Sequence, residues 1–200
     1  MTHPSSPKPA GTLPAVLRII GGKWRGRKIH FIETEGLRPT PDRVRETLFN
    51  WLMPDIADAR VLDLFAGSGA LGLEALSRGA AEATFIESSA PAVMQLKKTL
   101  VTFKAEQATV IQRRAEDWLQ QNNSIHRFDI VFLDPPFAST LLPALLMQLE
   151  NSLCLAPRCL IYVETDAELE AENSPATWHM HRHKKAGRVI YYLFIRENLQ

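Results

Sequence analysis

The chain has 200 residues, 46% of them apolar, which suits one globular domain with a substantial core. No apolar run approaches the roughly 18–20 residues that span a bilayer, and residues 1–12 lack the apolar stretch of a secretory signal, so a cytoplasmic location is expected. A formal net charge of +1 argues against a nucleic-acid partner only until the charge is divided along the chain.

In chain order, residues 1–15 read as a disordered tail, with four prolines among Ser, Gly and Lys before residue 15. Residues 16–40 read as a basic hairpin extension. Its strands are 17–20 and 27–32, with Gly21-Gly22 permitting a tight turn. Such a hairpin is marginal alone and must dock on the rest of the chain or order on a ligand. The main domain, 41–200, opens on Thr40-Pro41-Asp42, a hydroxyl cap with proline at the first helical position and an acid beside the positive helix end. Val44, Leu48, Trp51 and Leu52 then share one helical face.

Strand and helix alternate from there. Strands are expected at 61–64, 84–87, 110–111, 128–133 and 160–163. Helices are expected at 71–77, stopped by Gly79, from Ala90 with Ser89 as cap and Val93, Leu96 and Leu100 inward, and at 141–149. An antiparallel pair, 178–183 with 189–195, ends the chain. Near-continuous apolar strands separated by helices indicate an α/β, Rossmann-like fold: a mostly parallel sheet of seven strands with an antiparallel C-terminal strand.

Asp63 to Gly72 (DLFAGSGALG) sits where the first strand of that sheet gives way to a helix, at the carboxyl edge where open α/β sheets bind ligands. Gly67-x-Gly69-x-x-Gly72 fits both a nicotinamide dinucleotide and S-adenosylmethionine. Asp63 favours the second, because a strand-end carboxylate meets an ammonium group and repels a pyrophosphate. Glu87, followed by Ser88, ends the next strand, where an acid accepts hydrogen bonds from both ribose hydroxyls; both cofactors share that feature. Ala115-Glu116 follows the third strand and is placed to bracket an adenine, or else Glu116 is a helix-start acid. The candidate cofactor residues are therefore Asp63, Phe65, Gly67, Ser68, Gly69, Glu87, Ser88, Ala115 and Glu116.

The strand at 128–133 runs into Asp134-Pro135-Pro136-Phe137. Two prolines remove two backbone donors and stiffen the turn, so that Asp134 and the Pro135 carbonyl form a rigid pair of acceptors. A base amino nitrogen is a poor nucleophile, its lone pair being delocalised into the ring. Acceptors that grip its hydrogens favour a tetrahedral nitrogen able to attack a methyl sulfonium in line, and Phe137 offers a face for a base taken out of its stack. Positioning and electrostatics supply the rate, and no metal is needed. Cys154 and Cys159 have no partners at zinc spacing and read as packing residues. His179, His181 and His183 alternate on a strand as solvent-facing or RNA-facing residues.

The charge is uneven. Residues 16–45 hold eight basic groups against three acidic, residues 178–200 five against one, and residues 46–177 only nine against eighteen. Charge runs are often just solvated surface, but two basic ends folded onto one face make a footprint for phosphates. Arg18-Ile19-Ile20-Gly21-Gly22-x-x-Arg25-Gly26-Arg27, the run from Leu37 to Leu52 (LRPTPDRVRETLFNWL), Asp63 to Gly69, Asp134 to Phe137 and Ala186-Gly187-Arg188 together resemble the bacterial small-subunit ribosomal RNA methyltransferase D family over about residues 16–196. The resemblance implies a class I S-adenosylmethionine-dependent fold and methylation of N2 of one guanine in 16S ribosomal RNA, on the protein-bound small subunit or its assembly intermediate. It supports a substrate role for the stretch holding Arg38, Thr40, Arg43 and Arg45 without assigning one to each: its helix-start amides and guanidinium groups suit RNA phosphates or closure over the catalytic pocket, and Arg25 and Arg27 of the hairpin are expected to meet phosphates. A monomer is the default. Competing readings are an amino-methyltransferase acting on DNA or a protein amide, a nicotinamide dehydrogenase, and a non-enzymatic RNA-binding assembly factor.

Overall fold

The computed structural model describes residues 14–32, 40–121, 127–136, 142–170 and 173–197. Its elements are β1 (Pro14–Arg18), β2 (Lys28–Ile32), α1 (Asp42–Trp51), β3 (Arg60–Asp63), α2 (Ala70–Ser77), β4 (Glu82–Glu87), α3 (Ala90–Phe103), β5 (Ala108–Gln112), α4 (Ala115–Gln121), β6 (Phe128–Leu133), α5 (Leu142–Asn151), β7 (Leu155–Thr165), β8 (Trp178–Ala186) and β9 (Val189–Glu197). Most of the tail expected at 1–15 lies outside the described residues, and β1 already begins at Pro14.

The strands from β3 onward form one seven-stranded sheet in the order β5-β4-β3-β6-β7-β9-β8. β3 to β7 are parallel, and β9 runs antiparallel between β7 and β8. The central strands are apolar on both sides because helices cover both faces. On one face Val44, Leu48, Leu73, Leu76, Leu96 and Leu100 pack with Ile19, Trp24 and Ile29 of the hairpin region. On the other, Trp118, Leu119, Leu145, Leu146 and Leu149 cover Leu62, Val131 and Ile161. Each such side chain, fully buried, contributes about 1.5–3 kcal/mol. Ser89 caps α3 as its sequence indicates, accepting from the Ala92 amide. The chain winds outward from β3 through β4 to β5, then returns to β6 on the other side of β3. The crevice at the carboxyl ends of β3 and β6 is therefore the topological switch point, where such sheets bind ligands.

β1 and β2 pair antiparallel from Pro14↔Ile32 to Arg18↔Lys28. The tight glycine turn expected between them is instead a longer excursion holding a 3-10 turn at Gly22–Trp24. Docking explains the difference. The Ile20 and Gly21 amides donate to the Glu74 carboxylate at 2.7 and 2.8 Å, and the Trp24 amide donates to the Ser77 hydroxyl at 2.9 Å. The Trp24 ring packs on Phe103 with centroids 5.1 Å apart. Gly22 has φ 73°, and a Cβ there would lie 1.8 Å from the Ser77 carbonyl oxygen, so no other residue lets the chain pass this close to α2.

Candidate active site

Asp63 ends β3, 2% exposed, and its Oδ2 accepts the Gly72 amide at 3.1 Å. That bond ties the strand end to the first turn of α2 and holds the intervening loop between them. Gly69 turns the loop with φ 76°, and a Cβ on it would meet Leu96 at 2.4 Å. Burial, and secondarily the negative charge of Glu87, push the Asp63 carboxyl up to about 7, against the pull of the Gly72 amide. Among the described residues no basic side chain pairs with Asp63.

Glu87 ends β4, the neighbour of β3. One carboxylate oxygen accepts the Gly67 amide at 2.8 Å, and the other accepts the Ser89 amide at 2.7 Å and the Ser88 hydroxyl at 3.5 Å. The carboxylate thus bridges the glycine loop after β3 and the turn after β4. Phe65, Gly67 and Ser68 are half-buried and Ser88 is exposed. The Arg113 amide donates to the Glu87 carbonyl at 3.0 Å, which brings the loop after β5 beside the same crevice. Ala115 is buried at the start of α4. Glu116 is a partly exposed first-turn acid 3.5 Å from Arg114, so the helix-start reading describes its place while the loop approach keeps it near the crevice.

Asp134 follows β6 on the other side of β3. Pro135 is buried, Pro136 is exposed, and Phe137 lies outside the described residues. The β6–β7 register ends at Leu133↔Val163, so the next residues, Asp134 and Glu164, stand side by side. Burial, then the like charge of Glu164, hold the Asp134 carboxyl well above the usual range, and the Thr40 hydrogen bond opposes them. Burial also raises Glu164, against hydrogen bonds from Tyr162 and Thr40. Four acids, Glu87, Asp63, Asp134 and Glu164, therefore line the carboxyl edge on the adjacent strands β4, β3, β6 and β7.

The sequence reading passed over Glu164 and Tyr162. Its signal was an acid set inside the apolar run Leu160-Ile161-Tyr162-Val163-Glu164-Thr165, where a carboxylate is out of place unless it has a task.

The residues assigned to RNA divide. Arg25 and Arg43 are exposed, and Arg38 lies outside the described residues. Arg45 corrects the expectation: it is wholly buried, 2.6 Å from Asp42, 3.0 Å from the Arg18 carbonyl and 3.8 Å from Glu74, and cannot reach a phosphate. Arg27 is half-buried, donating to the Thr102 carbonyl at 2.7 Å with its guanidinium 4.0 Å above the Phe103 ring, so it fastens β2 to the end of α3. Thr40 is corrected as a cap. α1 begins at Asp42 with Pro41 in the cap position and no side-chain cap, and Thr40, 4% exposed, turns its hydroxyl to Asp134 and Glu164 at 3.1 and 3.2 Å. The hydroxyl lies on acceptors inside the crevice and does not cap the helix. β8 is exposed along almost its whole length, carrying His179, His181, His183, Arg182, Lys184 and Lys185 at the sheet edge.

The family model described as "Conserved hypothetical protein 95" matches residues 17–195. The ribosomal RNA small subunit methyltransferase D of Escherichia coli (strain K12) is 52% identical over 190 residues, 95% of each chain. The protein of the same name from Haemophilus influenzae is 48% identical over 180 residues, 89% of this chain and 93% of its own. A solved Escherichia coli structure, yhhF, has a TM-score of 0.83 at 52% identity, over 92% of this chain and 99% of its own. SMU.776, solved in complex with SAH, is 14% identical with a TM-score of 0.69 over 98% of this chain and 58% of its own, a likeness of fold alone that marks it as the α/β class I methyltransferase fold. Matched along almost its whole length at about half identity, the chain belongs to the ribosomal RNA small subunit methyltransferase D family.

Proposed function

We propose that the protein transfers a methyl group from S-adenosylmethionine to the exocyclic N2 of one guanine in 16S ribosomal RNA, acting as a monomer on the small subunit or its assembly intermediate in the cytoplasm. The observation that carries the reading is the placement of Glu87, Asp63 and Asp134 at the carboxyl ends of β4, β3 and β6, on either side of the switch point. The donor set fits this cofactor. Asp63 is a buried acid held by backbone amides and, among the described residues, paired with no base, which suits an ammonium group and repels a pyrophosphate. Glu87 keeps acceptor capacity for ribose hydroxyls, and Phe65, Gly67, Ser68, Gly69, Ser88, Ala115 and Glu116 wall the adenosine.

When bound, S-adenosylmethionine supplies the electrophilic methyl group. The protein does the rest. Asp134 and the Pro135 carbonyl accept the hydrogens of the amino group and direct its lone pair, and Phe137 stacks on the flipped base. Arg25, Arg38 and Arg43 meet RNA phosphates. Incubation of the protein with labelled cofactor and unmodified small subunits tests this reading: label is expected in a single N2-methylguanosine. Label on adenine N6, or in no nucleoside, overturns it.

A further inference from the structure

Asp134 and Glu164 lie against one hydroxyl. Thr40 Oγ1 is 3.1 Å from Asp134 Oδ2 and 3.2 Å from Glu164 Oε2, yet a hydroxyl has a single proton to donate. Both contacts are attractive only when one carboxyl is protonated and donates to Thr40 Oγ1 while Thr40 donates to the other. Glu164 and Thr40 are buried and Asp134 is half-buried, and two carboxylates set against one hydroxyl in such a site disfavour each other's ionisation, so the pair shares a proton at rest. Tyr162 determines where it sits. Its phenol donates to Glu164 Oε2 at 2.9 Å, so Glu164 receives two donors and is the ionised member. Asp134 holds the proton. The other titratable groups bearing on the cluster are also acids, Asp63 of β3 acting on Asp134 and Tyr191 of β9 acting on Tyr162, and among the described residues no basic side chain pairs with Asp134 or Glu164.

A protonated Asp134 is the wrong form to grip an amino group, because one of its oxygens carries a hydrogen of its own. We infer that Glu164 is a positioning residue that primes Asp134 through Thr40: as the amino group docks, Asp134 passes its proton to Thr40 Oγ1, Thr40 passes its own to Glu164, and Asp134 meets the amine as a carboxylate. This rests on the amino-methyl transfer proposed above. Priming moves two protons within the cluster and exchanges none with solvent. In the transfer itself the nitrogen lone pair forms the N–C bond, the electron pair of the C–S bond of the methyl sulfonium stays on sulfur, and the cationic nitrogen gives one proton to Asp134. Product release returns one proton to solvent and restores the single shared proton.

Two measurements test the relay. In the free protein, carboxyl 13C NMR should show that the resonance lost in Asp134→Asn is that of a protonated acid at pH 7. An ionised Asp134 there overturns the shared proton, whether or not the protein methylates RNA. The second is the pH profile of single-turnover methylation of unmodified small subunits. With Glu164 as internal acceptor, Glu164→Gln obliges Asp134 to lose its proton to solvent, and the acidic limb moves up by about one pH unit or more. If Glu164 merely repels charge, its removal eases the ionisation of Asp134 and the limb moves down; a downward shift, or none, overturns the inference. Thr40→Val should lower the plateau rate at least about tenfold and Thr40→Ser should restore it to within about threefold. Equal loss in both overturns the relay. A wild-type protein that methylates no subunit refutes the proposed substrate alone, and the NMR result then decides the shared proton by itself.

Discussion

Glu74 accepts the Gly21 amide at 2.8 Å across 53 residues of chain, with the Ile20 amide on its other oxygen at 2.7 Å. The same fully buried carboxylate takes Arg78 at 2.7 Å and stands 3.8 Å from the fully buried Arg45. One acid on α2 thus anchors the hairpin and balances a cation sealed beneath α1. Glu74→Ala leaves two backbone donors without an acceptor and Arg78 without its partner, and leaves Arg45 with Asp42 as its one remaining counter-charge among the described residues. The expected loss is about 3–5 kcal/mol of stability, measured by urea unfolding. A loss under about 1 kcal/mol would show that the hairpin is held by Trp24 and its apolar neighbours alone.

Asp63 makes stability and ligand binding depend on pH in opposite senses. Its folded value of about 7 lies above its ordinary value of 3.8, so the folded chain binds the extra proton between the two. The stabilisation this confers is complete below about pH 4 and is lost as pH rises toward 7, amounting to at most ~4 kcal/mol. Asp134 and Glu164, also raised, act in the same direction. Unfolding measured from pH 5 to 8 should show stability falling with pH, and Asp63→Asn should flatten that fall. Affinity for a cofactor bearing an ammonium group should behave in reverse, declining about tenfold per pH unit below 7. Calorimetry of the wild type and Asp63→Asn checks this, because only the variant should lack the slope.

Asp134→Ala separates chemistry from binding. With Asp134 in the role proposed for it, its loss should cut single-turnover methylation by at least about 10²-fold, with little change in RNA affinity. Retained methylation would remove Asp134 from the reaction.

Arg25 and Arg43 are exposed, whereas Arg45 is buried and Arg27 is fastened to α3. Replacing Arg25 or Arg43 by Ala should weaken RNA binding and reduce the slope of log affinity against log salt by about one for each arginine. The folded state should be unaffected. Arg45→Ala should instead appear as lost stability, because it empties a fully buried site and removes the tie between α1 and the Arg18 carbonyl. Filter binding across a salt series, paired with thermal melts, distinguishes the two classes of arginine.

The sequence by itself determined the order of the sheet strands, the class of fold and three of the four strand-end acids, but not α4. Each of these is written in neighbouring residues: apolar runs of strand length, a serine at a helix start, glycines after Asp63, prolines after Asp134. The tertiary structure decided how distant segments divide the work. Arg45 and Arg43 look alike along the chain, and only the helical phase of α1 against α2 buries one and exposes the other. Thr40 has the local signature of a helix cap, but the β6–β7 register sets Asp134 beside Glu164 and gives its hydroxyl two stronger acceptors. Glu74 and Glu164 carry no local mark beyond an acid among apolar neighbours, because their partners lie 53 and 124 residues away in sequence. Local pattern encodes which groups exist and on which element; burial and like-charge proximity, which fix their protonation and their role, arise only when strands far apart in the chain become neighbours.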